Sequence, residues 1–479
     1  MTASPKRKWL ALALLCTVQF MVVLDVAIVN VALPSIQKDL GFSQEDLQWV
    51  ISAYALLFGG FLLLGGRAAD LLGRRRVFLA GLVVFSVASL LSGLAWSEGA
   101  LIGSRGLQGL GSAIISPAAL SILTTTFAEG GERNKALGAW GAIGAFGAVA
   151  GVLLGGILTD LLSWEWIFYV NVPVGIGAFA LTPLLLAESR DARAQSFDLP
   201  GAALVTGGLV VLVYALTQAN DYGWSSAETI GFFAASAALL AAFVAWEART
   251  RDPLMPFSIF RLRTLVGANV AGVILGTIIF SMFLMLTLYM QQVLDYSPLQ
   301  TGVAYLAVAG TTIIWSAVAA NLVTRVGVKP VLVAGMAFLT AGLGYFTQIS
   351  VSGSYLSDLL PGFLLIAIGM GFSFVPISIA ALAGVQASEA GLASGLINTS
   401  QQIGGALGIA ALSALATSTT ESDLAGGSAP PFALTDGFQA AFVGGACVAL
   451  VGVLVALFIV RRRDLSQPAA EAKPALEAA

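Results

Sequence analysis

The sequence predicts an all-α polytopic membrane protein, and three observations predict it. Charge is scarce: 23 basic and 26 acidic residues in 479, about 10%, against 58% apolar residues. A soluble chain carries roughly 25% charge and needs it to cover its surface. The apolar residues gather into fourteen runs, most of them near the roughly 20 residues that carry a helix across a bilayer core. The basic residues are also one-sided. With the N-terminus in the cytoplasm, every Lys and Arg except Lys38 and Arg105 falls in a tail or loop on that side. Acidic residues divide almost evenly, as expected when Lys and Arg alone set topology. Both termini are therefore expected to be cytoplasmic.

The first run, Trp9–Leu33, follows Lys6, Arg7 and Lys8 and contains Asp25. No small-residue cleavage site closes it, so it is expected to remain as a span. Leu47–Leu64 ends at the Gly- and Arg-rich loop GGRAADLLGRRR (65–76), and Val77–Ala95 returns from it. Ala100–Leu123 contains Arg105, Ala136–Leu162 is glycine-rich, and Trp166–Ala187 completes a first group of six. Leu199–Leu216 and Ala227–Trp246 come next, flanked by Arg190, Arg193, Arg249 and Arg251. The last six are Leu265–Leu288, Gly302–Val323, Val328–Ile349, Leu356–Leu382, Gly391–Ala416 and Phe438–Val460. The loop Thr417–Gly437 is rich in Ser, Gly and Pro and reads as flexible, and the Ala/Pro/Glu-rich tail 464–479 reads as disordered.

The two groups of six read as repeats. GLGSAIISPAALSI from Gly109 and GMGFSFVPISIAAL from Gly369 share Gly-x-Gly, then Pro, then Ser, with the Gly-to-Pro spacing off by one. The loop NLVTRVGVK aligns with GGRAADLLGRRR on Gly327 and Gly73, with Thr324 opposite Asp70. Parallel six-helix repeats are a mark of secondary transporters. The expected organisation is a six-helix bundle at 1–190, two inserted spans at 191–263 and a second bundle at 264–463.

Ionisable groups inside a span are costly and point to function. Asp25 lies nine residues before Pro34 and Arg105 seven after Glu98, so the two sit at similar depth. Paired, they either staple two helices together or form a carboxylate that takes up and releases a proton as its surroundings change. Gln19, Asn30 and Gln108 share those helices and can extend the polar network. In the loop, Gly66 and Gly73 permit a tight turn, Asp70 can meet Arg74 or a helix N-terminus, and Arg75 adds to a basic anchor; a gating role is the reading for Asp70. Gly147, Gly151, Gly155 and Gly156, with Gly138, Gly141 and Gly144, let another helix approach closely, either for packing or for sliding. Phe283 and Tyr289, among several Met, suit a permissive apolar site or simple packing. Gln291, Asn398 and Gln402 are further polar candidates for a substrate pathway.

With no His and only Cys16 and Cys447, triads, Cys-His pairs and His- or Cys-rich metal sites are not expected. No GxxxxGK[ST], HExxH or GxSxG occurs, which disfavours nucleotide-driven transport and familiar hydrolases. A net charge of −3 gives no reason to expect nucleic acid as a partner.

These residues resemble the major facilitator superfamily, specifically its fourteen-helix drug:proton antiporters, over nearly the whole chain. LDVAIVNVALP (24–34) is similar to the first-helix motif, with Asp25 at the acidic position, and GGRAADLLGRRR is similar to the loop motif through Gly66, Asp70, Gly73, Arg74 and Arg75. IGSRGLQGLGSA (102–113) resembles the fourth-helix motif, and GAVAGVLLGGIL (147–158) the antiporter motif. The resemblance implies the major facilitator fold, proton coupling through Asp25 and Arg105, no cofactor, and no enzymatic activity. It implies a monomer in the bacterial cytoplasmic membrane that exports apolar or cationic small molecules. Departures are Val152 where the antiporter motif has Pro, Glu165 between Trp164 and Trp166 where the family has Arg, and Ala27 where it often has Thr. Uptake or exchange of a metabolite by the same fold, and a non-transport membrane enzyme or scaffold, are the alternative readings.

Overall fold

A computed structural model describes residues 5–127, 131–189, 198–250, 253, 255, 257–383, 385 and 390–458. Among the described residues all regular structure is helical. In chain order the helices are α1 (Pro5–Leu40), α2 (Gln44–Leu47), α3 (Trp49–Leu72), α4 (Arg74–Gly93), α5 (Glu98–Thr126), α6 (Gly131–Leu161), α7 (Trp166–Tyr169) and α8 (Asn171–Leu185). They continue with α9 (Leu199–Tyr222), α10 (Ala227–Glu247), α11 (Arg263–Gln292), α12 (Pro298–Val326), α13 (Val328–Phe346), α14 (Leu360–Leu382), α15 (Ala390–Ala425) and α16 (Pro430–Phe458). Eleven helices among the described residues are long and apolar enough to cross a membrane, and shorter apolar stretches lie in α3, α6 and α9. The tail 464–479 lies outside the described residues.

Local chemistry sets the ends. Ser97 accepts from Ala100 N at the start of α5, and Glu98 follows in the first turn, where a carboxylate is favoured. Ser297 and Gln300 form a reciprocal capping box on α12, with Pro298 in the first turn. Gly73 (φ +108°) and Gly327 (φ +90°) stand between α3 and α4 and between α12 and α13, so the residues that align the two repeats perform the same sharp turn.

Three expected features differ. Pro34 does not end α1, which continues to Leu40 through the proline, as membrane-spanning helices tolerate. The sixth run divides at Val170 into α7 and α8. Most of the expected loop at 417–437 is helical. Ser418 and Thr419 donate back to the Leu415 carbonyl, Pro430 and Pro431 occupy the first turn of α16, and only a short turn at Gly427 (φ +91°) separates the helices.

α1 packs on α6 and α8, and α5 lies between α3 and α4. α11, α13, α14, α15 and α16 pack among themselves, with α12 against α14. Both Gly-x-Gly pairs let their helix touch two neighbours. Gly109 abuts Tyr54 of α3 and Gly111 abuts Phe85 of α4, whereas Gly369 abuts Leu339 of α13 and Gly371 abuts Trp315 and Ser316 of α12. The first glycine of one pair faces the helix two before its own and the first glycine of the other faces the helix just before its own, and the second glycines do the reverse. α3 also lies on α15, α6 on α12 and α1 on α11. α9 packs on α3 and α15, and α10 packs on α9. Leu90, Ile176, Ile314, Val451 and Leu454 are among many exposed apolar residues, as expected of helices solvated by lipid.

Candidate functional site

Asp25 and Arg105 meet in the interior, respectively 0% and 1% exposed. Arg105 Nη1 donates to Asp25 Oδ2 at 2.7 Å. Gln108 Nε2 and Asn171 Nδ2 donate to the other carboxylate oxygen at 2.6 and 2.8 Å. Arg105 also donates from Nε to the Val50 carbonyl (3.0 Å) and from Nη1 to Gln108 Oε1 (2.7 Å). Its guanidinium carbon lies 4.4 Å from the centre of the Tyr54 ring and 5.6 Å from that of Phe168. Ser89 accepts from Gln108 and Asn171, each at 3.1 Å, and gives its own proton to the Phe168 carbonyl at 2.8 Å. The Tyr54 and Ser112 hydroxyls are 2.6 Å apart.

Four helices and the α7–α8 joint build this cluster. α1 supplies the acid and α5 the base, one turn from Gln108. α3 supplies Tyr54 and the Val50 carbonyl, α4 supplies Ser89, and the α7–α8 joint supplies Phe168 and Asn171. A buried ion pair is tolerable only when its remaining protons and lone pairs are also met, and these neighbours meet both carboxylate oxygens of Asp25 and the Nε and Nη1 protons of Arg105. The arrangement can hold a carboxylate ionised away from water, and can release the base if a proton neutralises the acid.

The structure places the other sequence candidates as follows. Gly73 and the basic cluster meet the end of α8: Arg75 N donates to Glu188 Oε1 (3.1 Å), Arg75 and Arg76 lie 3.8 and 3.7 Å from Glu188 Oε2, and Arg74 N donates to the Ser189 carbonyl (2.9 Å). The Asp70 side chain lies outside what is described. Gly66 faces Pro117. A Cβ at Gly147, Gly151 or Gly155 would crowd α1, the last two at 2.7 Å from the carbonyl oxygens of Leu24 and Ile28. Gly156 faces the other half, where a Cβ would stand 2.6 Å from the Pro298 carbonyl oxygen. The side chains around Gly138, Gly141 and Gly144 are outside what is described.

Gln291 Nε2 crosses between halves to the Val31 carbonyl (3.0 Å). Asn30 donates to Val26 in its own helix. Tyr289 is fully buried and donates to the Ser350 carbonyl, and the Phe283 ring lies 4.9 Å from that of Tyr305. Asn398 is exposed. The side-chain carbonyl oxygens of Gln19 and Gln402 are buried without a hydrogen-bond partner. Sequence reasoning missed Ser89, Asn171, Tyr54, Phe168 and Glu188. Asn171, an amide inside an apolar run, carried a usable signal; Ser89 and the aromatics look like ordinary span residues.

Residues 15–409 match the Major Facilitator Superfamily. The chain is 42% identical to the puromycin resistance protein pur8 of Streptomyces alboniger, over 94% of this chain and 90% of that protein. It is 40% identical to a cephamycin export protein of Amycolatopsis lactamdurans (91% and 89% covered). It is 35% identical to the tetracenomycin C resistance and export protein of Streptomyces glaucescens (86% and 76%). Among solved structures, the human organic anion transporter MFSD10 superposes with a TM-score of 0.65 at 15% identity, over 95% of this chain and 100% of that one, a likeness of fold.

Proposed function

The chain belongs to the major facilitator superfamily and is a multi-pass protein of the bacterial cytoplasmic membrane, and from that premise we propose that it exports drug-like small molecules in exchange for protons. The carrying observation is the buried Asp25–Arg105 pair with its completed shell of donors. Support for the direction comes from relatives named for antibiotic resistance and export.

In this reading fourteen helices span the bilayer as two six-helix bundles, 1–190 and 264–463, with two inserted spans between them and both termini in the cytoplasm. The Gln291–Val31 bond and the Gly156–Pro298 contact then lie at the external end and close it. A proton arriving from outside neutralises Asp25 and weakens its hold on Arg105, which favours the state open to the cytoplasm. Substrate entering from the cytoplasm or inner leaflet displaces the proton and the ion pair re-forms while the external end is still closed, the combination present in this structure; the external end then opens. Asp70, Gly73, Arg74 and Arg75 steady one conformer at the cytoplasmic end. Substrates are apolar or cationic, and the transporter works as a monomer without a cofactor.

The test is expression in a bacterium stripped of its own pumps, scored for resistance to puromycin, tetracenomycin C and a cephamycin. Everted vesicles with an acid interior then receive an exported compound. Antiport releases protons into the medium, whereas co-transport removes them. Asp25→Asn is expected to insert normally and to abolish proton-driven export; undiminished export would sink the coupling role.

A further inference from the structure

We propose that Asn171 is the positioning residue that keeps Asp25 ionised and paired, and that through it the α7–α8 joint ties its own conformation to the proton site. The proposal rests on the coupling role assigned to Asp25 above.

The direction of every hydrogen bond in the cluster follows from its neighbours. Ser89 has one proton and gives it to the Phe168 carbonyl, so its oxygen accepts from the two amides. Gln108 Oε1 is taken by Arg105, so Gln108 presents its NH₂ to Asp25. Asn171 likewise reaches Ser89 Oγ and Asp25 Oδ1 with one nitrogen, which fixes it as a donor. Asp25 is thus met by three donors, and each favours the ionised form.

These donors are not equivalent. Arg105 and Gln108 sit three residues apart on α5 and bond to each other, so they move together. Asn171 comes from another helix and is the first residue of α8, next to Val170, which keeps helical dihedrals (φ −60°, ψ −27°) at the α7–α8 joint. That joint is also wired to the rim. Tyr169 Oη donates to the Gly93 carbonyl (2.6 Å), and Trp164 Nε1 donates to Asp39 Oδ2 (2.8 Å) near the end of α1. A shift of the joint therefore withdraws one donor from Asp25 while leaving the α5 donors in place. The charged and titratable groups facing Asp25 among the described residues are Arg105 from α5 and Tyr54 from α3. α4 and the joint contribute the neutral Ser89, Phe168 and Asn171.

The test needs no substrate. Purified protein in lipid nanodiscs is titrated by infrared difference spectroscopy, following the carboxylic C=O band that disappears in Asp25→Asn. Loss of a hydrogen bond to a charged group moves such a titration by about one pH unit. Asn171→Ala is expected to keep the band to a pH higher by about that much, and Asn171→Ser to recover part of the difference. Asn171→Asp, nearly isosteric, covers the case in which the smaller side chain does not fold; it places a second acid beside the first and is expected to move the band at least as far upward. Midpoints in both Asn171→Ala and Asn171→Asp within a few tenths of the parent overturn the proposal, as does the absence of any band that Asp25→Asn removes. Export that survives Asp25→Asn overturns the coupling role alone, and the infrared midpoints still decide whether Asn171 positions Asp25.

Discussion

Arg105 is held by geometry as much as by charge. Its guanidinium donates at once to Asp25, Gln108 and the Val50 carbonyl while lying against two aromatic rings. A lysine ammonium is a compact point charge on a flexible stem and cannot satisfy that planar set. Arg105→Lys is therefore expected to insert but to lose proton-driven export by at least about tenfold, measured in everted vesicles, because about 1.4 kcal/mol of misplaced pairing suffices for that factor. Export within twofold of the parent would show that charge alone is enough. Ser89 is small but has three partners. Ser89→Ala leaves the Phe168 carbonyl and part of two amides unmet, and unfolding in detergent is expected at lower temperature, by about 1–3 kcal/mol of stability.

Among the elements, α6 is the one whose sequence most constrains its position. It runs unbroken from Gly131 to Leu161, through Val152. Its glycines divide between two neighbours, so one stripe serves two purposes. A Cβ at Gly147 would meet Val23 at 3.1 Å and the Phe20 carbonyl oxygen at 3.2 Å, distances relieved by a shift of a few tenths of an ångström, whereas one at Gly151 would stand only 2.7 Å from the Leu24 carbonyl oxygen. Gly147→Ala is therefore expected to be mild. Gly151→Ala is expected to lower the melting temperature more, at an overpacking cost of about 1–3 kcal/mol. Equal melting temperatures would mean that α1 and α6 separate easily. The turn at Gly73 follows a different rule, because its positive φ excludes a side chain whatever the space.

At the scale of the whole molecule, the halves touch at one end through Gly156 against Pro298 and Gln291 against Val31. A bulky residue at position 156 props that end apart. With Cys16 and Cys447 replaced and a cysteine placed at the buried Val31, Gly156→Leu is expected to raise labelling by a membrane-impermeant maleimide added from outside, and to lower export. Unchanged labelling would show that this contact is no gate. The inserted helices have a structural place in the same frame: α9 lies over both α3 and α15, and Thr206 donates to the Gly60 carbonyl at 2.7 Å.

The helical membrane architecture and the residues most worth suspicion were legible in the sequence. Apolar length, one-sided Lys and Arg, and the cost of a charge in hydrocarbon leave few solutions, and Asp25 and Arg105 stand out against an apolar background. The tertiary structure alone decided what completes their pairing and which half each glycine faces. Ser89, Tyr54 and Phe168 are ordinary residues in apolar runs until packing brings these helices together. The α7–α8 joint has a local signal in Pro173, which has no N–H to donate to the preceding turn, but what Asn171 meets is decided by packing. Periodicity and charge act along one helix and can be read from order; hydrogen-bond partners and close backbone approach depend on which helices touch.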